Sequence, residues 1–186
     1  SVEGTAPAVT DVAARGSTRS QTSALRTKAL KVMLGDARVH LVMQREWENA
    51  KNARLRSDNV ITVGAIFFGH GFAAYVMDEV GTAVDTDTVQ QRQALFASLY
   101  ALHICGVIHG DARVQNAISL QVGIVWIDFA STFISEEVSA LIGNDFRECF
   151  KSVFDDEPKS EQIEAYMNYV GKKMSFEEAW QLLCVE

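Results

Sequence analysis

Three side chains that offer oxygen ligands follow apolar segments in the middle of the sequence. Asp111 and Asn116 are five residues apart, and Asp128 comes twelve residues after Asn116. The oxygens of an Asp and an Asn that converge are hard ligands, suited to Mg²⁺ held jointly with phosphates. A further Asp beside them can accept a proton from a hydroxyl group. Because phosphoryl transfer depends on positioning, metal and charge, these residue types predict a site for phosphoryl chemistry.

Short apolar strands are expected to hold these polar residues in place. The pattern predicts strands at Val107-Ile108 and Ala117–Leu120, and a third strand over Val122–Phe129 that is almost fully apolar until Asp128. The catalytic candidates then lie in the polar loop between the first two strands and at the end of the third.

The rest of the chain changes from strands to helices along its length. Strands with one helix among them, followed mostly by helices, indicate an α+β fold with two lobes. The predicted elements are a strand at Ala29–Met33, a helix at Val42–Leu55, strands at Val60–Phe68 and Gly71–Val80 around the Gly69-His70-Gly71 turn, a helix at Thr88–Ile104, and helices near Ser135–Phe154, Glu161–Val170 and Ser175–Leu183.

The central segment resembles the catalytic loop and metal-binding motif of the protein-kinase-like superfamily. The family pattern runs from His-x-Asp to an Asn and then to Asp-Phe-Gly. Here His109-Gly110-Asp111 leads to Asn116, and Asp128-Phe129-Ala130 stands in place of Asp-Phe-Gly. The resemblance implies that Asp111 is the catalytic carboxylate and that Asn116 and Asp128 hold the metal.

The same resemblance implies a protein-kinase-like bilobal fold. It has a small β-rich N-lobe over residues 1–80, with a truncated glycine-rich loop, and a reduced helical C-lobe over residues 81–186. Lys31 is implied to pair the α- and β-phosphates of ATP. Glu48, in the helix that follows, is implied to fix that lysine, and its distance from the next strand favours it over Glu46.

The implied nucleotide pocket draws on both lobes. Arg113 would neutralise charge on the γ-phosphate, and Asp145 resembles the buried helix Asp that braces the catalytic loop. The implied cofactors are ATP and Mg²⁺, with Mn²⁺ as an alternative. The positions carried over for the nucleotide are Gly4 and Thr5 in the remnant of the glycine-rich loop, Ala29 and Ile118 on either side of adenine, Met77 as gatekeeper, and Asp78 and Val80 in the hinge.

Several departures from the family pattern leave three functions open. Gly110 stands where eukaryotic protein kinases carry the Arg that reads activation-loop phosphate, Asn52 is polar where the family has an apolar residue, and few residues follow Asp145. The first is a kinase that acts on a protein hydroxyl, of the Ser/Thr type and with autophosphorylation. The second is a catalytically weak, pseudokinase-like binding module. The third is a small-molecule kinase of the aminoglycoside or choline type. The loop is also similar to that of the kinase-like domains of Crinkler-type effectors.

Composition limits the partners and the location. The 186 residues carry a net charge of −7, so no basic block favours nucleic acid as a partner. No apolar run is long enough for a membrane span, and no signal peptide is visible. Three widely spaced cysteines favour a reducing compartment, the cytosol or nucleus, with secretion into a host cell if the Crinkler similarity holds. His109 is expected to be a core histidine. The oligomeric state is left open.

Overall fold

The computed structural model describes residues 27–135 and 140–183, and this part of the chain begins with a three-stranded antiparallel sheet. Its strands, β1 (Ala29–Leu34), β2 (Val63–Gly69) and β3 (Phe72–Met77), have the order β1-β3-β2. Gly71 closes the β2–β3 hairpin with a φ of 77°, a conformation that costs glycine little.

Helix α1 (Arg38–Arg54) joins this sheet to the rest of the molecule. Its buried residues recur at helical spacing and form one face. Met43 packs with Ala73 and Tyr75 of the sheet in a small core, whereas Ala50 and Ala53 belong to the larger core. The two ends of one helix therefore contact the two parts of the fold.

The remaining elements form two small sheets and four helices within the described residues. One sheet has the order β4-β6-β7 and the other pairs β5 with β8. Thr88 caps α2 by accepting a hydrogen bond from Gln91 N at 3.2 Å. The elements are β4 (Thr82–Ala83), α2 (Val89–Ile104), β5 (Val107–Ile108), a 3₁₀ turn (Val114–Asn116), β6 (Ala117–Leu120), β7 (Gly123–Trp126), β8 (Phe133–Ile134), α3 (Ala140–Phe154), α4 (Ser160–Val170) and α5 (Phe176–Leu183).

Aromatic side chains fill the larger core between these helices. The Phe96 ring on α2 contacts Phe146 and Phe150 on α3, and Trp180 on α5. Such rings bury large apolar areas and favour tilted contacts. None of the helices in the described residues is long and apolar enough to cross a bilayer.

Several elements differ from their sequence-based predictions: α1 begins at Arg38 instead of Val42, β7 ends at Trp126 instead of Phe129, and β4 was predicted as a loop. The strand predicted from Val60 begins at Val63, because Val60 instead forms an isolated parallel bridge with Trp126. Strand β8 was not predicted, since its two residues become a strand only by pairing with β5. The differences at Val60 and at β8 come from contacts between distant parts of the chain, which local sequence patterns do not contain.

Candidate active site

A buried carboxylate holds the backbone of the loop that carries Asp111. Asp145 on α3 is 2% exposed and accepts hydrogen bonds from His109 N at 2.6 Å and from Gly110 N at 2.8 Å. His103 on α2 places Nε2 at 3.1 Å from the same carboxylate. Charge-assisted hydrogen bonds of this kind are among the stronger ones. They confirm the bracing predicted for Asp145.

Steric contacts explain why the middle residue of the His-Gly-Asp segment is a glycine. Gly110 adopts a φ of 80°, and a Cβ atom built there would overlap the carbonyl oxygen of Ser131. A larger residue would have to displace the backbone that follows Phe129. The close packing of two backbone segments therefore excludes an Arg at this position in the present fold.

Asp111 is held as an ionised, oriented carboxylate. Arg113 donates to it from Nε at 2.6 Å and from Nη2 at 2.8 Å, and Asn116 Nδ2 donates to its Oδ2 at 3.0 Å. The Arg113 guanidinium is the main reason that the pKa of Asp111 is lowered from its usual value. The structure thus brings together the predicted residues Asp111, Arg113 and Asn116.

Asp128 lies next to Asn116 because the backbone joins the two segments. Ile127 N donates to Asn116 O at 2.8 Å, at the open end of the β6–β7 hairpin. Asp128 itself has a φ of 64°, a left-handed conformation that Asp adopts more readily than most residues other than glycine. Its Oδ1 atom lies 3.2 Å from Lys31 Nζ.

Lys31 is fixed by a carboxylate from α1, and that carboxylate belongs to Glu46. Lys31 Nζ lies 2.6 Å from Glu46 Oε1, and the Tyr75 hydroxyl donates to the same oxygen at 2.6 Å. Glu46 is 1% exposed. One lysine therefore contacts Glu46 on one side and Asp128 on the other.

The predicted pairing of Lys31 with Glu48 is wrong. The Glu48 side chain is exposed and accepts a hydrogen bond from Gln44, one turn earlier on α1. Two residues correspond to about 200° around a helix, so Glu46 and Glu48 cannot both face the sheet. The buried face of α1 at Met43 and Ala50 already contained the signal, because Glu46 falls between them at helical spacing.

The same substitution at the two glutamates should lower the free energy of unfolding by different amounts. Glu46→Gln removes a buried charge that binds both Lys31 and Tyr75, so we expect the free energy of unfolding to fall by about 1–3 kcal/mol. Glu48→Gln changes an exposed side chain and should shift it by less than about 0.5 kcal/mol. Urea denaturation of both variants measures the difference, and equal losses would contradict the assignment of Glu46.

A second contact of α1, which the sequence does not predict, reaches the Asp128-Phe129 segment. Asn49 Nδ2 donates to Phe129 O at 2.9 Å. Asn49 is three residues after Glu46, on the same side of the helix. Only the tertiary structure reveals this bond, because nothing in the local sequence links positions 49 and 129.

Two of the residues predicted to line the adenine pocket are paired across β1 and β3. Ala29 is the register partner of Met77, so that their side chains share a face of the sheet. Met77 and Ile118 are half-buried and both pack against the larger core. The register thus pairs Ala29 with Met77, whereas Ile118 lies on β6 of the other three-stranded sheet.

The segment predicted as the hinge is anchored to Thr62, the residue before β2. Asp78 N donates to Thr62 O at 2.9 Å, and the Asp78 carboxylate pairs with Lys28 at 2.7 Å. The Glu79 side chain, which the sequence analysis did not single out, accepts hydrogen bonds from Thr62 N and Oγ1 at 2.7 and 2.5 Å. Val80 follows this anchor and is exposed.

The remaining predicted positions are two glycine-rich-loop residues, a histidine and a cysteine. Gly4 and Thr5 lie outside the described residues. His109 is fully buried, with Nε2 2.8 Å from Ile127 O, which confirms it as a core histidine whose pKa burial lowers. Cys149 is buried, and burial raises the pKa of its thiol, as expected for an inert cysteine.

Comparisons with known proteins give structural neighbours and no sequence relatives. No family model matches the sequence, and no curated protein matches it. The crystal structure of monomeric WbdD has a TM-score of 0.55 at 18% identity, covering 84% of this chain and 42% of that one. A co-crystal structure of WbdD with the kinase inhibitor LY294002 has a TM-score of 0.54 at 17% identity, with coverage of 84% and 40%.

A third structure is described as the bifunctional kinase-methyltransferase WbdD, with a TM-score of 0.53 at 18% identity and coverage of 84% and 40%. The present chain thus spans about two fifths of the length of the WbdD chains. At this identity the similarity is one of fold. The chain therefore has a small bilobal α+β fold that is similar to kinase-like WbdD.

Proposed function

We propose that this chain is an ATP- and Mg²⁺-dependent phosphotransferase that acts on the hydroxyl of a protein acceptor, of the Ser/Thr type and with autophosphorylation. The observation that carries the proposal is the position of the Lys31 ammonium. It lies 2.6 Å from Glu46 and 3.2 Å from Asp128, and so places a positive charge beside the carboxylate assigned to the metal. Phosphoryl transfer depends mostly on such positioning and charge.

The donor set fits Mg²⁺ that is bound jointly with phosphates. The two hydrogens of Asn116 Nδ2 are directed to Asp111 O and Oδ2, which leaves the amide oxygen for a cation. Asp128 offers a half-exposed carboxylate. Within residues 27–135 and 140–183, no group of three or more His, Cys, Asp or Glu could hold a metal alone. We propose that phosphate oxygens and water complete the shell, the usual arrangement for Mg²⁺ that one or two protein side chains hold.

The nucleotide would lie between the β1-β3-β2 sheet and the β4-β6-β7 sheet. Ala29 and Ile118 would contact the two faces of adenine, Met77 would limit the depth of the pocket, and Asp78 and Val80 would offer backbone groups. The anchoring of Asp78 to Thr62 supports this role, because a fixed backbone binds at a lower entropic cost. Gly4 and Thr5 are proposed to contact the phosphates.

Asp111 would orient the acceptor hydroxyl and receive its proton. In the transfer, the bond between the γ-phosphorus and the bridging oxygen breaks, a bond to the acceptor oxygen forms, and ADP leaves with the bridging oxygen. Because Arg113 lowers the pKa of Asp111, the carboxylate is ionised and accepts the hydroxyl hydrogen bond. Arg113, which is half-exposed beside it, would turn to the γ-phosphate.

Gly110 supports an enzyme whose activity is not regulated by a phosphate that binds to this loop. The steric conflict with Ser131 excludes the Arg that reads activation-loop phosphate in eukaryotic protein kinases. The ion pair of Lys31 with Glu46 is formed by residues of β1 and α1 alone. We therefore expect activity that does not require prior phosphorylation of the segment after Asp128.

Thermal melting with nucleotide tests the proposal directly. We expect Mg²⁺ and ATP together to raise the Tm by about 5–10 °C when the nucleotide is about 100-fold above its Kd. Mg²⁺ alone, and ATP with a chelator, are the controls. Incubation with γ-labelled ATP and generic protein acceptors should then label the acceptor or the chain itself.

The other outcomes identify the alternatives. No shift in Tm at millimolar nucleotide would contradict the nucleotide site. A shift without any labelling would indicate the pseudokinase-like binding module. Labelling confined to an added aminoglycoside or choline would indicate a small-molecule kinase. A role as a Crinkler-type effector, with action in the cytosol or nucleus of a host cell, stays a proposal that the His-Gly-Asp-x-Arg-x-x-Asn loop supports.

A further inference from the structure

A buried tyrosine shares the carboxylate oxygen that fixes Lys31. Tyr75 is 1% exposed, and its hydroxyl lies 2.6 Å from Glu46 Oε1, the atom that Lys31 Nζ also contacts at 2.6 Å. We propose that Tyr75 is a positioning residue, which holds the Glu46 carboxylate in the orientation that directs Lys31 toward Asp128. This inference rests on the proposed function for its catalytic consequence, but its geometric part stands on the described residues alone.

The strand register explains how a tyrosine reaches this carboxylate. Lys31 of β1 and Tyr75 of β3 are register partners in the antiparallel sheet, so their side chains leave the same face at neighbouring positions. That face is the one that α1 covers, with Met43 packed against Tyr75. Two donors from adjacent strands therefore converge on one acceptor from the helix.

The energetics require more than one donor for Glu46. A carboxylate that is 1% exposed loses nearly all of its hydration, and burial of an unpaired charge is strongly unfavourable. Lys31 alone is a shared partner, since its ammonium group also lies 3.2 Å from the Asp128 carboxylate. The tyrosine ring has few rotatable bonds and packs in the core, so that its hydroxyl fixes the carboxylate oxygen in space.

The tyrosine hydroxyl remains a donor at every physiological pH. Burial is the main cause that raises the pKa of Tyr75 far above its ordinary value, and the charge of Glu46 raises it further. The proton therefore stays on the phenol, and the bond to Glu46 is an O–H···O⁻ bond of the charge-assisted kind. Without it, the carboxylate can rotate, and Lys31 is no longer held between Glu46 and Asp128.

The test compares Tyr75→Phe with the same substitution at a tyrosine outside the proposed site. Tyr100→Phe is the matched control, because Tyr100 is half-buried on α2 and stacks on Tyr169 at a ring distance of 3.7 Å, away from Lys31. The first readout is the rate at which dilute acetic anhydride acylates Lys31 in the nucleotide-free protein. Mass spectrometry measures it relative to the exposed Lys172.

We expect Tyr75→Phe to increase the relative acylation rate of Lys31 about tenfold, the ratio typical for loss of a hydrogen bond to a charged group. Glu46→Gln should increase it at least as much, and Tyr100→Phe should leave it unchanged. A Tyr75→Phe protein with a lower Tm but an unchanged or slower Lys31 reaction would overturn the proposal, because it would assign Tyr75 to packing alone. Tyr75→Met serves the same purpose if the Phe variant does not fold.

The second readout separates this inference from the proposed function. Tyr75→Phe should lower kcat/KM for ATP about tenfold, in parallel with the change at Lys31. If Lys31 becomes more reactive but neither the wild-type protein nor any variant binds ATP, the positioning role is supported and the phosphotransferase proposal fails. If the wild-type protein transfers phosphate and Tyr75→Phe leaves both kcat/KM and Lys31 reactivity unchanged, only the role of Tyr75 fails.

Discussion

Replacement of Asp128 by Asn is expected to lower the rate of phosphoryl transfer by about 10²–10³-fold. The amide keeps the shape of the side chain, and Asn tolerates the left-handed backbone that Asp128 adopts at a φ of 64°. The substitution therefore removes one negative charge without a change in the fold. That charge faces Lys31 at 3.2 Å and lies beside Asn116, where the proposed metal would bind. Initial rates with γ-labelled ATP measure the effect.

A second aspartate provides a matched control for this substitution. Asp155 also has a positive φ, 53°, but it is exposed at the end of α3, outside the proposed site. Asp155→Asn should leave the rate and the Mg²⁺-dependent rise in Tm unchanged, whereas Asp128→Asn should lose most of that rise. An Asp128→Asn protein that transfers phosphate at the wild-type rate would remove Asp128 from the site.

Replacement of Asp111 by Asn is expected to separate catalysis from binding. The rate of transfer should fall by about 10²–10⁴-fold, the usual effect of losing a general base. The rise in Tm with Mg²⁺ and ATP should be retained, because Lys31, Glu46 and Asp128 are untouched. Asp111 is held by Arg113 at 2.6 and 2.8 Å, so the variant also frees the guanidinium. Single-turnover labelling and melting of the same preparation measure both quantities.

The control for Asp111 is an exposed aspartate that also pairs with an arginine. Asp58 is almost fully exposed and lies 3.2 Å from Arg54, and surface pairs of this kind contribute little. Asp58→Asn should match the wild-type protein in both measurements. Loss of the nucleotide-dependent rise in Tm in Asp111→Asn would show that the residue acts in binding, contrary to the assigned role.

Much of the site could be predicted because its residues are local in sequence. Asp111, Arg113 and Asn116 lie within one loop, and short strands on either side fix their relative positions. Asp128 follows at the end of the next hairpin strand, so that a single pairing brings it to Asn116. The strand Ala117–Leu120 was predicted with its bounds confirmed, because an isolated apolar run between polar loops has few alternatives.

The partner of Lys31 shows where sequence spacing fails. The distance to the following strand favoured Glu48, but that strand begins at Val63 and not at Val60. The helical phase, with Met43 and Ala50 on the buried face, is the better guide. A difference of two residues places Glu46 against the sheet and Glu48 in solvent.

The sequence by itself determined the residue types of the loop, the order of the helices and of the strands other than β4 and β8, and hence the α+β class. It did so because apolar periodicity and short-range turns act within a few residues. Only the tertiary structure decided which carboxylate holds Lys31, and that Tyr75 and Asn49 bond to the site. These choices depend on how α1 packs on the sheet and on the Asp128-Phe129 segment, since buried polar groups find their partners among distant segments of the chain.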